Sequence, residues 1–293
     1  MSAPLGRDGP EPSGPRRAAS PAALPGAARA ADDDVVREEP LVIEVGAEQV
    51  LTLRTPGDDA DLALGFLLGE GILAGAGDVA GIELTARTDE DGAAVDVARV
   101  ALRPGLALGP FQRARLSRAH AIRPSCGLCG LASPAGLTRG LPRLDPGAPR
   151  VSLDGLRALV SALRARQPLF AATGGCHAAG VFEAESGAAW AVAEDVGRHN
   201  ALDKALGRAA REGRDLARAA VVLSGRAGSE LVLKALRLGV PVVAAVSAPS
   251  SLAVEVALEA GQTLVAFVRP GGGRVYADDG RVVASAQRAG AAP

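Results

Sequence analysis

Two thiols separated by two residues, Cys126-Gly127-Leu128-Cys129, are the pair in this sequence best suited to covalent chemistry. They are flanked by glycines and follow Arg113, Arg115, Arg118 and Arg123, whose positive potential favours a thiolate near neutral pH. Three chemistries use such a pair. A structural zinc site needs two more ligands, and the other soft or imidazole donors are Cys176, His177, His120 and His199. Cys176 and His177 are adjacent, a poor arrangement for closing one tetrahedron, so no metal site is expected. A thioredoxin-like site wants the motif at the start of a helix after a strand, whereas Gly130 and Pro134 surround this one with breakers. A sulfur carrier needs an exposed thiolate on a segment that swings between donor and acceptor. The glycines permit that motion, and Cys129 can resolve or relay a persulfide.

A zinc deaminase is the rival from another enzyme class, because Pro124-Ser125-Cys126-Gly127-Leu128-Cys129 matches half of its signature. The other half is a histidine followed two residues later by a proton-shuttling Glu. Here His120, His177 and His199 are followed at that spacing by Ile122, Ala179 and Ala201.

The remaining polar clusters fall at the ends of expected strands. Glu194-Asp195-Val196-Gly197-Arg198-His199-Asn200-Ala201-Leu202-Asp203-Lys204 joins a strand to a helix that Asn200 or a neighbour can cap. Its amides, with Arg198, His199 and Lys204, suit a phosphate or pyrophosphate; the plainer alternative is a capped helix with solvated charges. Ser224-Gly225-Arg226-Ala227-Gly228-Ser229 is a second such turn, of small residues that let backbone approach a ligand. In Phe267-Val268-Arg269-Pro270-Gly271-Gly272 the ring can stack on a base while Arg269 meets a phosphate, or the segment is an ordinary strand end with a core Phe. Ligands of open α/β sheets lie beyond the carboxyl ends of the strands, so three polar ends on one edge count for more than any one. Cys176 reads as a buried small hydrophobe and Trp190 as core.

The elements that must position these residues follow from the apolar pattern. Leu41–Val45 and Gln49–Arg54 form a hairpin, a helix follows Asp58, Asp59 and Asp61, and strands cover Ile82–Ala86 and Ala94–Leu102. This α+β portion spans 35–110, after a Pro- and Arg-rich tail at 1–34 expected to be disordered. Residues 111–150 are expected to be a mobile loop carrying the cysteines. Over 151–284, short apolar strands alternate with amphipathic helices, which predicts an α/β domain with helices on the sheet faces; 285–293 is a tail. The chain has 293 residues, net charge −1, seven aromatic residues and three cysteines. Near-neutral charge and scarce aromatics argue against a nucleic-acid partner. No apolar run approaches a bilayer span, so no membrane association is expected. An odd cysteine count argues against a disulfide framework and for a reducing compartment.

Taken together, these segments resemble the formate dehydrogenase accessory sulfurtransferase family, FdhD or NarQ. The resemblance runs from Glu38-Glu39-Pro40-Leu41 to about Tyr276. It includes Cys126-Gly127-Leu128-Cys129-Gly130, Thr173-Gly174-Gly175 with His177, the string from Glu194 to Lys204, Ser224-Gly225-Arg226, and Ser247-Ala248-Pro249-Ser250-Ser251-Leu252-Ala253. It implies a cytidine deaminase-like three-layer core and a cytoplasmic homodimer. It further implies that persulfide sulfur is accepted from a cysteine desulfurase and passed to the molybdenum of bis-molybdopterin guanine dinucleotide, carried as cargo, before insertion into formate dehydrogenase. Cys126 then matches the persulfide-bearing cysteine and Cys129 its relay. Phe267, Val268, Arg269, Pro270, Gly271 and Gly272 match the cofactor-binding segment, and the cofactor's pyrophosphates suit Arg198, His199, Lys204, Arg226 and Arg269. A cofactor chaperone without sulfur chemistry is the alternative. Cys176 receives no role from the resemblance, and the tail before Asp32 lies outside it.

Overall fold

The computed structural model describes residues 15–19, 33–88, 92–119, 134–141 and 143–284. The first described elements are a two-stranded ribbon, β1 (Arg16–Ala19) and β2 (Asp33–Val36), followed by the hairpin β3 (Glu39–Val45) and β4 (Glu48–Arg54). Helix α1 (Asp59–Gly69) leads to β5 (Val79–Thr88) and β6 (Ala94–Leu102). Strands β4, β3, β6 and β5 form one sheet in that order, with β3 and β6 parallel. Its inward residues, among them Leu41, Ile43, Val50, Ala98 and Val100, bury against Leu62, Leu64, Leu67 and Leu68 of α1. Alternation along each strand produces that one-sided core.

Sequence reading places a loop from 111 onward, but the chain forms helix α2 (Pro110–Ala119) and, further along, α3 (Pro134–Thr138). Pro110 stands at the first position of α2, where its missing N–H costs no hydrogen bond, and Leu116 is fully buried. Both loop cysteines, Cys126 and Cys129, lie outside the described residues, as does His120.

The second half continues with β7 (Val151–Ser152), α4 (Leu153–Arg164), α5 (Pro168–Thr173), β8 (His177–Glu183) and β9 (Ala189–Asp195). Then follow α6 (Arg198–Arg211), β10 (Ala219–Leu223), α7 (Ser229–Arg237), β11 (Val242–Ala245), α8 (Ser251–Ala260), β12 (Thr263–Arg269), β13 (Gly272–Ala277) and β14 (Val282–Val283). The large sheet has the order β13-β12-β11-β10-β8-β9, parallel through β10, β11 and β12 and antiparallel elsewhere. One face packs on α6, α7 and α8 through residues such as Val221, Val243, Leu202, Leu231 and Val256. The other packs on Leu156, Leu159 and Leu163 of α4. Two covered faces explain why β10 and β11 are apolar at every position. Strands β1, β2, β7, β13 and β14 and helix α5 are additions to the sequence reading, and β1 lies within the 1–34 segment expected to be disordered. Among the described residues no helix is long and apolar enough to cross a membrane.

The two sheets are held together by the crossing of α1 and α6, at Gly65 and Gly207. A Cβ on Gly65 would lie 1.8 Å from the Asp203 carbonyl oxygen, and one on Gly207 would lie 1.9 Å from that of Asp61. The backbones meet because neither residue has a side chain.

Candidate functional site at the strand-end edge of the large sheet

The pairing directions bring the carboxyl ends of β9, β10, β11 and β12 and the amino ends of β8 and β13 to one edge. The turns there are joined by backbone hydrogen bonds. Ser224 N donates to Ala178 O at 3.0 Å, Ser247 N to Gly225 O at 3.3 Å, Ala227 N to Ala248 O at 3.1 Å and Phe267 N to Ser247 O at 3.2 Å. The Ser224 hydroxyl also accepts from Ala178 N at 2.8 Å. Helices α6, α7 and α8 all start from this ledge, so their positive ends face the same side.

The Phe267–Gly272 segment has an unusual backbone. Phe267 sits at φ 54°, in the left-handed region, and the register between β12 and β13 shifts between Ala266 and Arg269. The bulge lets Val268 stay buried against the α4 side while Phe267 is only half-buried. The Phe267 ring is half-buried, packed in part against the core cluster, and lies near two guanidiniums. Those of Arg274 and Arg269 lie 5.2 and 6.0 Å from its centroid, and the Tyr276 ring centroid 6.5 Å away. Arg269 Nε donates to Val246 O at 3.1 Å, which pins that side chain across the end of β11. Cβ atoms on Gly271 and Gly272 would meet nothing within 4 Å, so the turn lies open. An accessible ring, a fixed guanidinium and an unobstructed glycine turn fit a base bearing phosphates. Sequence reading missed Arg274 and Tyr276; the signal was the turn Pro270-Gly271 followed by alternating Arg274-Val275-Tyr276.

The string from Glu194 to Lys204 divides into two sets. Asp195 is fully buried, with one carboxylate oxygen 2.7 Å from Lys204 Nζ and accepting from Thr55 N at 3.1 Å. Lys204 Nζ also donates to Thr55 O at 2.7 Å, so this ammonium faces inward and cannot meet a phosphate as expected. Asn200 does not cap α6. The N-cap is Gly197, and Asn200 Nδ2 donates to Leu53 O at 2.8 Å, tying the edge to β4. His199 Nε2 lies 2.8 Å from Glu230 Oε2. Asp203 is buried beside Lys234 at 2.8 Å, which also meets Glu70 at 2.9 Å. Burial pushes Asp203 up to about 6 although Lys234 pulls the other way, while Asp203 and Glu70 outweigh burial and hold Lys234 above the ordinary lysine range. The outward set comprises Arg198, exposed at the first turn of α6, with Arg226, exposed after β10.

Cys176 is buried, as read from sequence, and its thiol lies 3.4 Å from Glu194 Oε1. Glu194 also accepts from Leu169 N and Phe170 N at 2.9 and 2.8 Å, capping α5. Burial and the Glu194 carboxylate push the Cys176 pKa up to about 12. Such a thiol is protonated at neutral pH and a poor nucleophile. Native protein treated with iodoacetamide at pH 8 is therefore expected to leave Cys176 unlabelled in peptide mapping, with labelling appearing only on unfolding. Trp190 is half-buried and packs against the main core cluster, with Arg214 5.9 Å from its ring centroid.

The fold defines a mixed α/β protein with its polar turns gathered on one edge of a helix-covered sheet. That fold is shared with a solved structure from Desulfotalea psychrophila described as a candidate formate dehydrogenase accessory protein. The TM-score is 0.69 at 23% identity, covering 93% of this chain and all of that one. A family model described as the FdhD/NarQ family matches residues 36–283. The sulfur carrier protein FdhD of Streptomyces avermitilis is 44% identical over 269 residues, covering 90% of this chain and 94% of the relative. That of Mycolicibacterium paratuberculosis is 45% identical over 263 residues, covering 88% and 94%. The chain belongs to the FdhD/NarQ family.

Proposed function

We propose that this chain is a sulfur carrier serving formate dehydrogenase. It takes sulfur from a cysteine desulfurase as a persulfide on Cys126 and passes it to the molybdenum of bis-molybdopterin guanine dinucleotide, its cargo, before that cargo enters the dehydrogenase. The observation that carries this reading is identity of 44% over 90% of the chain to a relative named sulfur carrier protein FdhD. In the loading step the Cys126 thiolate attacks the terminal sulfur of the donor persulfide. The donor S–S bond breaks, the donor thiolate leaves, and a new S–S bond forms on Cys126 with no net oxidation. Cys129 relays the terminal sulfur by the same exchange. Cys176 is unsuited to either step, being buried with a pKa of about 12.

The strand-end edge is the proposed seat of the cargo. Phe267 offers a ring face to a guanine, Arg269 meets a phosphate, and Val268, Pro270, Gly271 and Gly272 shape the turn between them. A free thiolate fits the reducing cytoplasm. The homodimer and the likeness of the large sheet to a cytidine deaminase core belong to the same proposal. Its test is rescue of formate dehydrogenase activity in cells lacking the protein. Cys126→Ala is expected to give none, Arg269→Ala to lose about tenfold or more from one charge-assisted contact, and Cys176→Ala to rescue fully. A cofactor chaperone without sulfur chemistry would instead survive loss of both Cys126 and Cys129.

A further inference from the structure

We infer that helix α2 is the docking face for the sulfur donor, where exposed Phe111, bordered by Arg113 and Arg115, takes an acidic protein surface. This rests on the sulfur-carrier reading above and adds the place at which the donor binds. Charge along the chain is uneven although its net is −1. Between Asp96 and Asp145 stand eight arginines and no acidic residue, which leaves 24 basic against 33 acidic residues in the rest of the chain. The segment holding Cys126 is therefore a positive stretch on an otherwise acidic molecule. An acidic partner is drawn to that stretch and repelled by the remainder, which sets where it lands.

Within the stretch, α2 supplies a fixed surface. Leu116 anchors it in the core, and the helix packs along β4. Phe111 is 67% exposed, more than any other large apolar side chain among the described residues. Arg115 stands one turn on, on the same helical face, with its guanidinium carbon 5.7 Å from the centroid of the ring. Arg113 is exposed on the flank, and its Nε donates to Leu108 O at 3.0 Å, tying it to the chain that enters the helix. Among the described residues neither arginine has an ion pair. Glu70, a carboxylate within electrostatic reach of Arg115, is already shared by Lys234 at 2.9 Å and Arg237 at 4.0 Å. A lone exposed Phe is ordinary on a protein surface. Set against uncommitted arginines it becomes the combination that interface centres favour: the ring excludes water while each guanidinium grips a carboxylate in a fork.

Cys126 follows Ala119, the last residue of α2, by seven residues. Chain geometry alone keeps its thiol within about 25 Å of the helix end on any path. A donor seated on α2 is thereby tethered close to the sulfur it must meet, which raises the effective concentration of one for the other.

The test is surface plasmon resonance of the full-length chain against the immobilised cysteine desulfurase of the same cell. Wild type is expected to bind, with affinity falling as salt rises from about 0.05 to about 0.5 M and screens the exposed charges. Phe111→Ala, which removes an anchor and no charge, is expected to weaken binding about tenfold or more. The Arg113→Glu/Arg115→Glu double variant is expected to lose it. Leu258→Ala, at an exposed apolar position of α8 outside the positive stretch, is expected to bind as wild type. Because the Phe111 ring is exposed, an unchanged Tm separates loss of binding from loss of fold. A wild type that does not bind, a Phe111→Ala that binds like wild type, or self-association of the chain that Phe111→Ala abolishes would each overturn the docking face. If Cys126 still gains sulfur in any of those cases, the carrier reading stands without it. Desulfurase binding that depends on Phe111, beside a Cys126 that never gains sulfur, keeps the docking face and sinks the carrier reading.

Discussion

Gly207→Ala is expected to destabilise the chain by more than about 3 kcal/mol, above the usual range for an added core methyl, and to lower Tm by about 10 °C. The new Cβ would sit 1.9 Å from the Asp61 carbonyl oxygen and 2.7 Å from Gly65 N. Both obstructing atoms are backbone, so no rotamer change relieves the overlap, and α1 must move off α6. That movement would also pull Asp61 from Arg208 and Arg211, at 3.0 and 2.7 Å. Gly65→Ala meets the Asp203 carbonyl in the same way and should behave alike. Thermal denaturation followed by circular dichroism checks both; a Tm within about 3 °C of wild type, the shift of roughly 1 kcal/mol, would show that the helices are not in backbone contact.

Lys234→Met is expected to cost about 3–5 kcal/mol, because it leaves a buried carboxylate without its partner. Lys234 Nζ stands 2.8 Å from Asp203 Oδ2 and 2.9 Å from Glu70 Oε1, and it is nearly inaccessible. Of the 32 basic residues in the chain only Lys204 and Lys234 are lysines, and both are buried between the two sheets. A compact ammonium donating in several directions suits these positions, whereas a planar guanidinium needs a wider cavity. Lys234→Arg is therefore expected to lose most of the same stability. Chemical denaturation resolves this, and the Asp203→Asn/Lys234→Met double variant should recover part of the loss by removing one stranded charge.

The helices and central strands were legible because apolar periodicity is imposed by burial on both faces of the large sheet. Ala219–Leu223 is strand in sequence and structure alike, and α7 and α8 begin within one residue of the sequence reading. Less legible was the division of labour within the string from Glu194 to Lys204. Asn200, Asp203, Lys204 and Gly207 share one helical face, and that face lies against α1 and the end of β4. Nothing local to the string announces that long-range contact; the pair Gly65 and Gly207 was its faint trace. Arg54 and Arg281 were hidden in the same way. Both are fully buried, Arg54 on Asp59 and Asp96, and Arg281 on the carbonyls of Ala148, Gly261 and Asp145. The Phe267 bulge escaped notice because a non-glycine residue at positive φ leaves no compositional mark.

Sulfur loading on Cys126 is the centre of the functional reading, and mass spectrometry measures it directly. The full-length chain is incubated with a cysteine desulfurase and cysteine, then digested without reductant and mapped. The expected result is the mass of one added sulfur atom on the peptide carrying Cys126, sensitive to a thiol reductant and absent in Cys126→Ala. The peptide carrying Cys176 should be unmodified in the same sample. An unmodified Cys126, or sulfur found on Cys176 instead, would contradict the carrier role assigned to this chain.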